Sequence, residues 1–333
     1  MDAKIPTFEL SDGVKSDGVK IPAVGYGCAF GNWTDSNSFI GFTPEQGWKS
    51  VPMALEAGYK HLDCAVCYGS HRQVGASLGA AFASGKIASR DDVFITTKVF
   101  HDTAPIVLAN VDNGVDMSNP KWLKEQGSLK ARIHKDFENS LSDLGVGYVD
   151  LLLMHWPGSP ANTKEVNKFM RQEVWAAMEE IHAKGWARAL GLSNFTPEHT
   201  QDILQSGTVK PVLNQIEVSP YYYRADLIQW FQHEDRGIRV EAWAPFGSGG
   251  TGLLRDETLV AIGKTHSKNV GQVILRWLYQ HGIVSLPKSS SPSRLASNLN
   301  IFDFVLSAEE MTAINGLNKG LSSVPSNPIE AIP

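Results

Sequence analysis

Short runs of β-branched and aliphatic residues alternate along this chain with longer stretches whose apolar positions repeat at helical spacing. A polar opening stretch predicts a hairpin turning between Ser11 and Gly18. Residues 23–27 read as a first buried strand, followed by a helix with Thr43 as N-cap, Pro44 in its first turn and Gly58 as its stop. The second strand runs to Asp63, and Ser70 is placed to cap a helix ending near Gly85. The third ends at Lys98 and leads to a helix over 129–144; the fourth ends at His155, with a helix from about Arg171 to Lys184. Residues 187–192 form the fifth, and Thr196-Pro197-Glu198 opens its helix. Strands over 211–215, 237–243 and 283–286 complete the set, with helical sequence over 225–234, 256–280 and 292–298. Strands that each lead into a helix predict an α/β fold, a (β/α)8 TIM barrel with an N-terminal β-hairpin and long loops at its C-terminal face. No linker composition divides the chain, so one domain is expected over 1–333, with a core from about Ile21 to Leu317.

Two connections are long, 30–42 and 99–128, and on a barrel both fall at the C-terminal mouth. They read either as surface insertions or as pocket walls; Trp33 and Trp122 tilt the balance towards walls. The segment 320–333 lacks helical periodicity and is placed to drape across the barrel.

Bulk composition narrows the class without naming it. Hydrophobic residues at 42% and charged residues at 20% are ordinary for a soluble globular protein. A net charge of −5 argues against a nucleic-acid surface, which needs a basic excess. No apolar run reaches spanning length and no signal-peptide pattern opens the chain, so neither membrane nor export is expected. Three cysteines cannot all pair with one another, which points to the cytoplasm.

The candidate chemistry sits at the strand ends. Asp63, Lys98 and His155 close successive strands, and Tyr68 follows Asp63 in a loop. If the strands are parallel, the four side chains converge on one face. Tyrosine is a poor acid at neutral pH, with a reference pKa of about 10, and a nearby ammonium is expected to lower it. Lys98 is the source of that charge, and Asp63 holds Lys98 in place. His155 can donate a hydrogen bond to a carbonyl oxygen, so the set suits protonation of an oxygen whose carbon receives a nucleophile. A barrel-mouth ion pair with packed neighbours would account for any one of these residues; the four together favour catalysis.

The stretch from Gly58-Tyr59-Lys60-His61-Leu62-Asp63 to Tyr68-Gly69 resembles the first signature of the aldo-keto reductase superfamily. Residues Leu144 through His155-Trp156-Pro157 resemble its second, and Leu286-Pro287-Lys288-Ser289 with Arg294 and Asn298 its third. Gly191-Leu192-Ser193-Asn194-Phe195 and Asn214-Gln215-Ile216-Glu217 match the segments between, so the likeness spans nearly the whole chain. The resemblance implies a monomer-sized barrel that reduces small aldehydes or ketones with NADPH. It makes Tyr68 the general acid, Asp63 and Lys98 its tuning pair, and His155 the carbonyl-orienting group.

Hydride transfer needs a cofactor, since no side chain supplies hydride. Ser193, Asn194 and Gln215 offer groups for a nicotinamide carboxamide, and Trp243 a face for its ring. The run from Trp243 through Ala244 and Phe246 is similar to the 2,5-diketogluconate reductase and prostaglandin F synthase-like branch. Lys288, Ser289, Ser291 and Arg294 suit a 2′-phosphate, favouring NADP(H), with Asn298 nearby. Phe30, Trp33 and Trp156 are the expected substrate walls, and no metal site is expected.

Two motif matches carry less. Residues 247–252 satisfy G-x-G-x-x-G, but no helix opens on them; the resemblance makes them a flap over the cofactor, with Ser248 as a phosphate contact. Cys64 and Cys67 satisfy C-x-x-C without further metal ligands and read as loop packing. Departures from the family pattern include Ser70-His71, Cys28-Ala29 and Ser297, which leave the substrate wall and the adenine contact open. A second reading is an NADPH-binding redox-sensing or regulatory subunit with a vestigial reductase site.

Overall fold

The apolar runs become the staves of a closed parallel sheet. In this computed structural model, residues 5–12, 18–33, 39–100, 129–160, 162–249, 251–324 and 332 are described. A hairpin of β1 (Thr7–Leu10) and β2 (Val19–Pro22) comes first. The central strands are β3 (Tyr26–Gly27), β6 (His61–Asp63), β7 (Phe94–Val99), β8 (Val149–Met154), β9 (Ala187–Ser193), β10 (Leu213–Glu217), β11 (Arg239–Trp243) and β12 (Val284–Ser285). They pair in chain order, all parallel. A parallel bridge from Val24 to Ser285 closes the ring, with Gly25 N donating to Ser285 O at 2.8 Å. The expected (β/α)8 barrel is present, and parallel strands bring the strand ends together at one mouth.

Alternation along each strand divides the core. On β8, Leu152 and Met154 join the large cluster between sheet and helices, whereas Leu151 and Leu153 point into the barrel. There they meet Leu10, Val19 and Ile21 of the hairpin, which plugs the far end. Each buried aliphatic side chain of this kind contributes about 1.5–3 kcal/mol. One end is therefore sealed by apolar packing and the other is left for chemistry.

The helices are α1 (Gly47–Glu56), α2 (His71–Ala83), α3 (Leu129–Leu144), α4 (Lys164–Ala183), α5 (Pro197–Ser206), α6 (Ala225–Gln232), α7 (Glu257–His266), α8 (Val270–Gln280), α9 (Pro292–Leu299) and α10 (Ala308–Asn315). Thr196 caps α5 as expected. Thr43 does not cap α1: a 3-10 turn, Pro44–Gln46, intervenes, and the Thr43 hydroxyl has no hydrogen-bond partner among the described residues. Ser70 precedes α2, but its hydroxyl donates to Cys28 O at 2.9 Å, tying the loop after β6 to the first strand. α4 starts before the expected Arg171 because Thr163 caps a polar first turn that hides the periodicity.

The stretch 256–280 is two helices, not one. Ser267 takes a left-handed φ of 56° and breaks it, and Lys268 N then donates to Gly263 O at 2.8 Å. A side chain at Gly263 would lie 2.6 Å from Lys268 O, so the return requires glycine.

Residues Gly31–Trp33 (β4) and Phe39–Phe42 (β5) pair as a small antiparallel hairpin within the first long connection. The second connection is described only to Phe100, so Trp122 lies outside the described residues. The C-terminal segment crosses the mouth as far as it is followed: Ser323 N donates to Glu217 Oε1 at 2.6 Å. Residues 325–331 and 333 lie outside the described part.

Candidate active site

Asp63, Tyr68 and His155 line a cleft of about 1110 Å³ at the open mouth, with Lys98 buried directly behind them. Lys98, fully buried near the end of β7, donates to Asp63 Oδ1 and Oδ2 at 2.6 and 2.7 Å and to Cys64 O at 3.0 Å. Its Nζ also lies 3.3 Å from the Tyr68 hydroxyl. Tyr68 ends a 3-10 turn (Val66–Tyr68) that stops at Gly69, whose φ of 64° favours glycine. His155 follows β8, held by its N–H to Val99 O at 2.9 Å and by Asn194 Nδ2 to its carbonyl at 3.0 Å. Its ring meets Tyr68 edge-on at 5.6 Å and stacks on Trp156 at 6.1 Å.

Electrostatics depart from expectation at one point. Burial first, and then the Asp63 carboxylate, push the Tyr68 phenol well above its ordinary value. The net shift is upward rather than downward as expected, because burial and the Asp63 charge outweigh the Lys98 ammonium. The phenol is thus fully protonated at neutral pH, as a proton donor needs to be. Burial, aided by Lys98, holds His155 well below its ordinary value, so the imidazole is neutral. Its Nδ1 lies 3.6 Å from Cys67 Sγ, whose thiol burial pushes up to about 12.

Along the cleft the other expected residues fall into two groups. Ser193, Asn194, Gln215 and Trp243 line one part, with Ala244, Phe246 and Ser248 beside them. Asn194, at a left-handed φ of 64°, accepts from Trp243 Nε1 at 3.0 Å and so fixes the indole. Ser193 Oγ donates to Gln215 O at 3.0 Å. Gln215 Nε2 donates to both Asp63 and Glu241, which leaves the amide oxygen for the cleft. Ser248 Oγ donates to Ser323 Oγ at 3.1 Å, and among the described residues only 3-10 turns, Gly247–Gly249 and Leu253–Arg255, precede α7 after this glycine-rich turn. Lys288, Ser289, Arg294 and Asn298 line the other part. Arg294 Nε donates to Ser289 Oγ at 3.1 Å, and Lys288 Nζ to Ala29 O at 2.9 Å.

Three expectations change. Phe30 is not a cleft wall: it is 2% exposed and packs in the core, its ring 6.3 Å from Tyr26. Its neighbour Ala29 lines the cleft instead. Ser291 does not line the cleft either; its hydroxyl accepts from Arg294 N at 3.5 Å and caps α9. Cys67 is more than packing, since it lines the cleft beside His155. Trp156 does line the cleft, while Trp33 ends β4 and its side chain lies outside the described part.

The sequence reading missed Phe42, whose ring stands 5.4 Å from Tyr68, and the stretch from Lys268 to Gly271. The latter had a signal: Asn269 and Gln272 form a capping box, marking a helix start inside what reads as one helix.

Residues 28–319 match the profile of the Aldo/keto reductase family. The chain belongs to that family. It is 34% identical over 325 residues to an aldo-keto reductase family 1 member A1-A of Danio rerio, covering 91% of this chain and 88% of that one. It is 35% identical over 281 residues to a 9,11-endoperoxide prostaglandin H2 reductase of Trypanosoma cruzi, covering 84% and 85%. Among solved structures, a Bombyx mori aldo-keto reductase in complex with NADP superposes with a TM-score of 0.80 at 30% identity, covering 99% of this chain and 98% of that one. An aldo-keto reductase complexed with NADPH gives 0.77 at 31%, covering 97% and 90%.

Proposed function

We propose that this aldo/keto reductase family member is an NADPH-dependent oxidoreductase that reduces aldehydes or ketones to alcohols. The observation that carries the reading is the Lys98 ammonium, bonded to Asp63 at 2.6 Å and lying 3.3 Å from the Tyr68 hydroxyl in the cleft wall. Relatives with NADP or NADPH in their structures support the cofactor. So does the donor set: hydroxyl and amide groups with an indole face at one end of the cleft, and Lys288, Ser289 and Arg294 at the other. When bound, NADPH supplies the hydride to the carbonyl carbon.

The chain's own residues do the rest. Tyr68 donates its proton to the carbonyl oxygen as negative charge builds there. Lys98 stabilises the phenolate left behind, and Asp63 keeps that ammonium in position. The Cys67 thiol stands 3.6 Å from His155 Nδ1; in the tautomer in which Nδ1 accepts from it, Nε2 carries the imidazole proton and donates to the same oxygen. Trp156 and Phe42 supply apolar walls that exclude water.

The vestigial regulatory reading is not supported, since all four groups are present and in contact range. We place the protein in the cytoplasm as a monomer; its three unpaired cysteines support a reducing compartment. No helix among the described residues is long and apolar enough to cross a membrane.

Tyr68→Phe tests the assignment. Oxidation of NADPH with an aromatic aldehyde is expected to fall by roughly 10²–10⁴-fold, the usual contribution of a positioned proton donor. NADPH binding, followed by fluorescence, stays within about twofold; near-normal turnover would show that another group is the acid.

A further inference from the structure

A buried polar layer lies beneath the Asp63–Lys98 pair. Gln215 and Glu241 stand in register on neighbouring strands β10 and β11. The Gln215 amide donates one N–H to Asp63 Oδ1 at 2.9 Å and the other to Glu241 Oε2 at 2.6 Å. Glu241 is 0% exposed, and its Oε1 has no hydrogen-bond partner among the described residues. The charged or titratable groups facing it are Asp63 and His61 from β6 and Lys98 from β7. On its other side, β12 presents Val284 and Ser285, which do not titrate.

None of these groups pairs directly with Glu241 as a cation. The hydrogens of Lys98 are taken up by Asp63, Cys64 O and the Tyr68 hydroxyl. His61 Nε2 lies 3.8 Å away and closer to Thr96 Oγ1 at 3.1 Å, and burial brings that imidazole down to about 3, so it is neutral. A carboxylate at 241 would therefore stand in a dry interior with one amide donor and no paired cation, beside a second carboxylate whose repulsion, with burial, exceeds the pull of Lys98. Such a group keeps its proton. Burial, followed by the Asp63 charge, pushes Glu241 up to about 8.

We propose that Glu241 is a positioning residue for the reduction: its neutral carboxyl anchors the Gln215–Asp63 bridge, and loss of its proton sets the alkaline limit of turnover. The proposal rests on the reading of Tyr68 as the acid. An ionised Glu241 adds a negative charge to a cluster whose single ammonium already serves Asp63. Proton release from Tyr68 then meets a less positive surrounding, and the rate falls.

The test is NADPH oxidation with a saturating aromatic aldehyde from about pH 6 to about pH 9.5, for the wild type, Glu241→Gln, Glu241→Met and Tyr68→Phe. The wild-type kcat is expected to fall about tenfold through a limb centred near pH 8. Glu241→Gln keeps the bridge and cannot ionise, so its kcat stays within about threefold of wild type at pH 6 and the limb is lost. Glu241→Met also lacks the limb but loosens Gln215, and the KM for NADPH rises. Retention of the wild-type limb in either folded variant overturns the proposal, and if Tyr68→Phe is then inactive the acid assignment still stands. A Tyr68→Phe enzyme with near-normal turnover removes the acid assignment and this proposal together.

The same proton is visible without turnover. Because the folded-state value is raised from 4.5 to about 8, the stabilisation is complete below 4.5 and is lost as pH rises to about 8. The wild-type urea midpoint should therefore decline across that window by more than that of Glu241→Gln; equal declines overturn the proposal.

Discussion

The two ends of the cleft are built in opposite ways. At the Tyr68 end, Lys98 is fully buried, Asp63 is 3% exposed, and every group is fixed by a strand end or by a backbone bond next to one. At the Arg294 end, Lys288 and Arg294 are exposed, and they reach the cleft from a loop and the first turn of α9. The first end holds charges whose positions the fold cannot change without destabilising itself. The second holds Arg294, a charge that water already reaches, beside Lys288, whose ammonium is partly desolvated and tied to Ala29 O, so a ligand phosphate is the partner both can take. Function at one end is therefore entangled with stability, and at the other it is nearly independent of it.

Lys98→Met is the largest way to break that contrast. Removing one partner of a buried pair leaves Asp63 uncompensated, and the expected loss is about 3–5 kcal/mol of folding stability, measured by urea denaturation. Adding Asp63→Asn should recover part of that loss, because the unpaired charge goes with it. A Lys98→Met protein as stable as wild type would mean that the pair is not held in a dry site.

The complementary change is Arg294→Ala. Stability should move by less than about 0.5 kcal/mol, as for an exposed side chain. Affinity for NADPH should fall about tenfold or more, the worth of a lost charge-assisted bond to phosphate. Affinity for NADH, which lacks the 2′-phosphate, should hardly change. Fluorescence titration with both cofactors reads the difference, and an equal loss for the two would place Arg294 away from the 2′-phosphate.

The same contrast governs what the sequence disclosed. Strand ends are legible because a buried parallel strand is a short apolar run, and a polar residue closing it stands out. Asp63, Lys98 and His155 were visible on that ground, and the barrel followed from the number of such runs. Contacts made by loops leave no periodic trace. Phe42 meets Tyr68 only because a hairpin folds back over the mouth. Lys268 reaches the cleft only because Ser267 breaks a helix whose apolar rhythm continues across the break. Glu241 was hidden for another reason: in sequence it is one polar residue inside a strand, and its meaning depends on Gln215 and Asp63 being beside it.

Ser291 gives the smallest effect and the finest test of the phosphate end. By position it belongs with Ser289 and Arg294, yet its hydroxyl faces Arg294 N and Ser293 Oγ, not the cleft. Ser291→Ala should remove the N-cap of α9 and lower stability by about 0.5–1 kcal/mol, while NADPH affinity changes by less than about twofold. The backbone N–H of Ser291, which donates to Ser289 Oγ at 3.1 Å, survives the substitution, so the hydroxyl beside Arg294 stays in place. A loss of NADPH affinity comparable to that of Arg294→Ala would mean that the cap opens to release its hydroxyl to the phosphate. The exposed end of the cleft would then be as dependent on its local fold as the buried end.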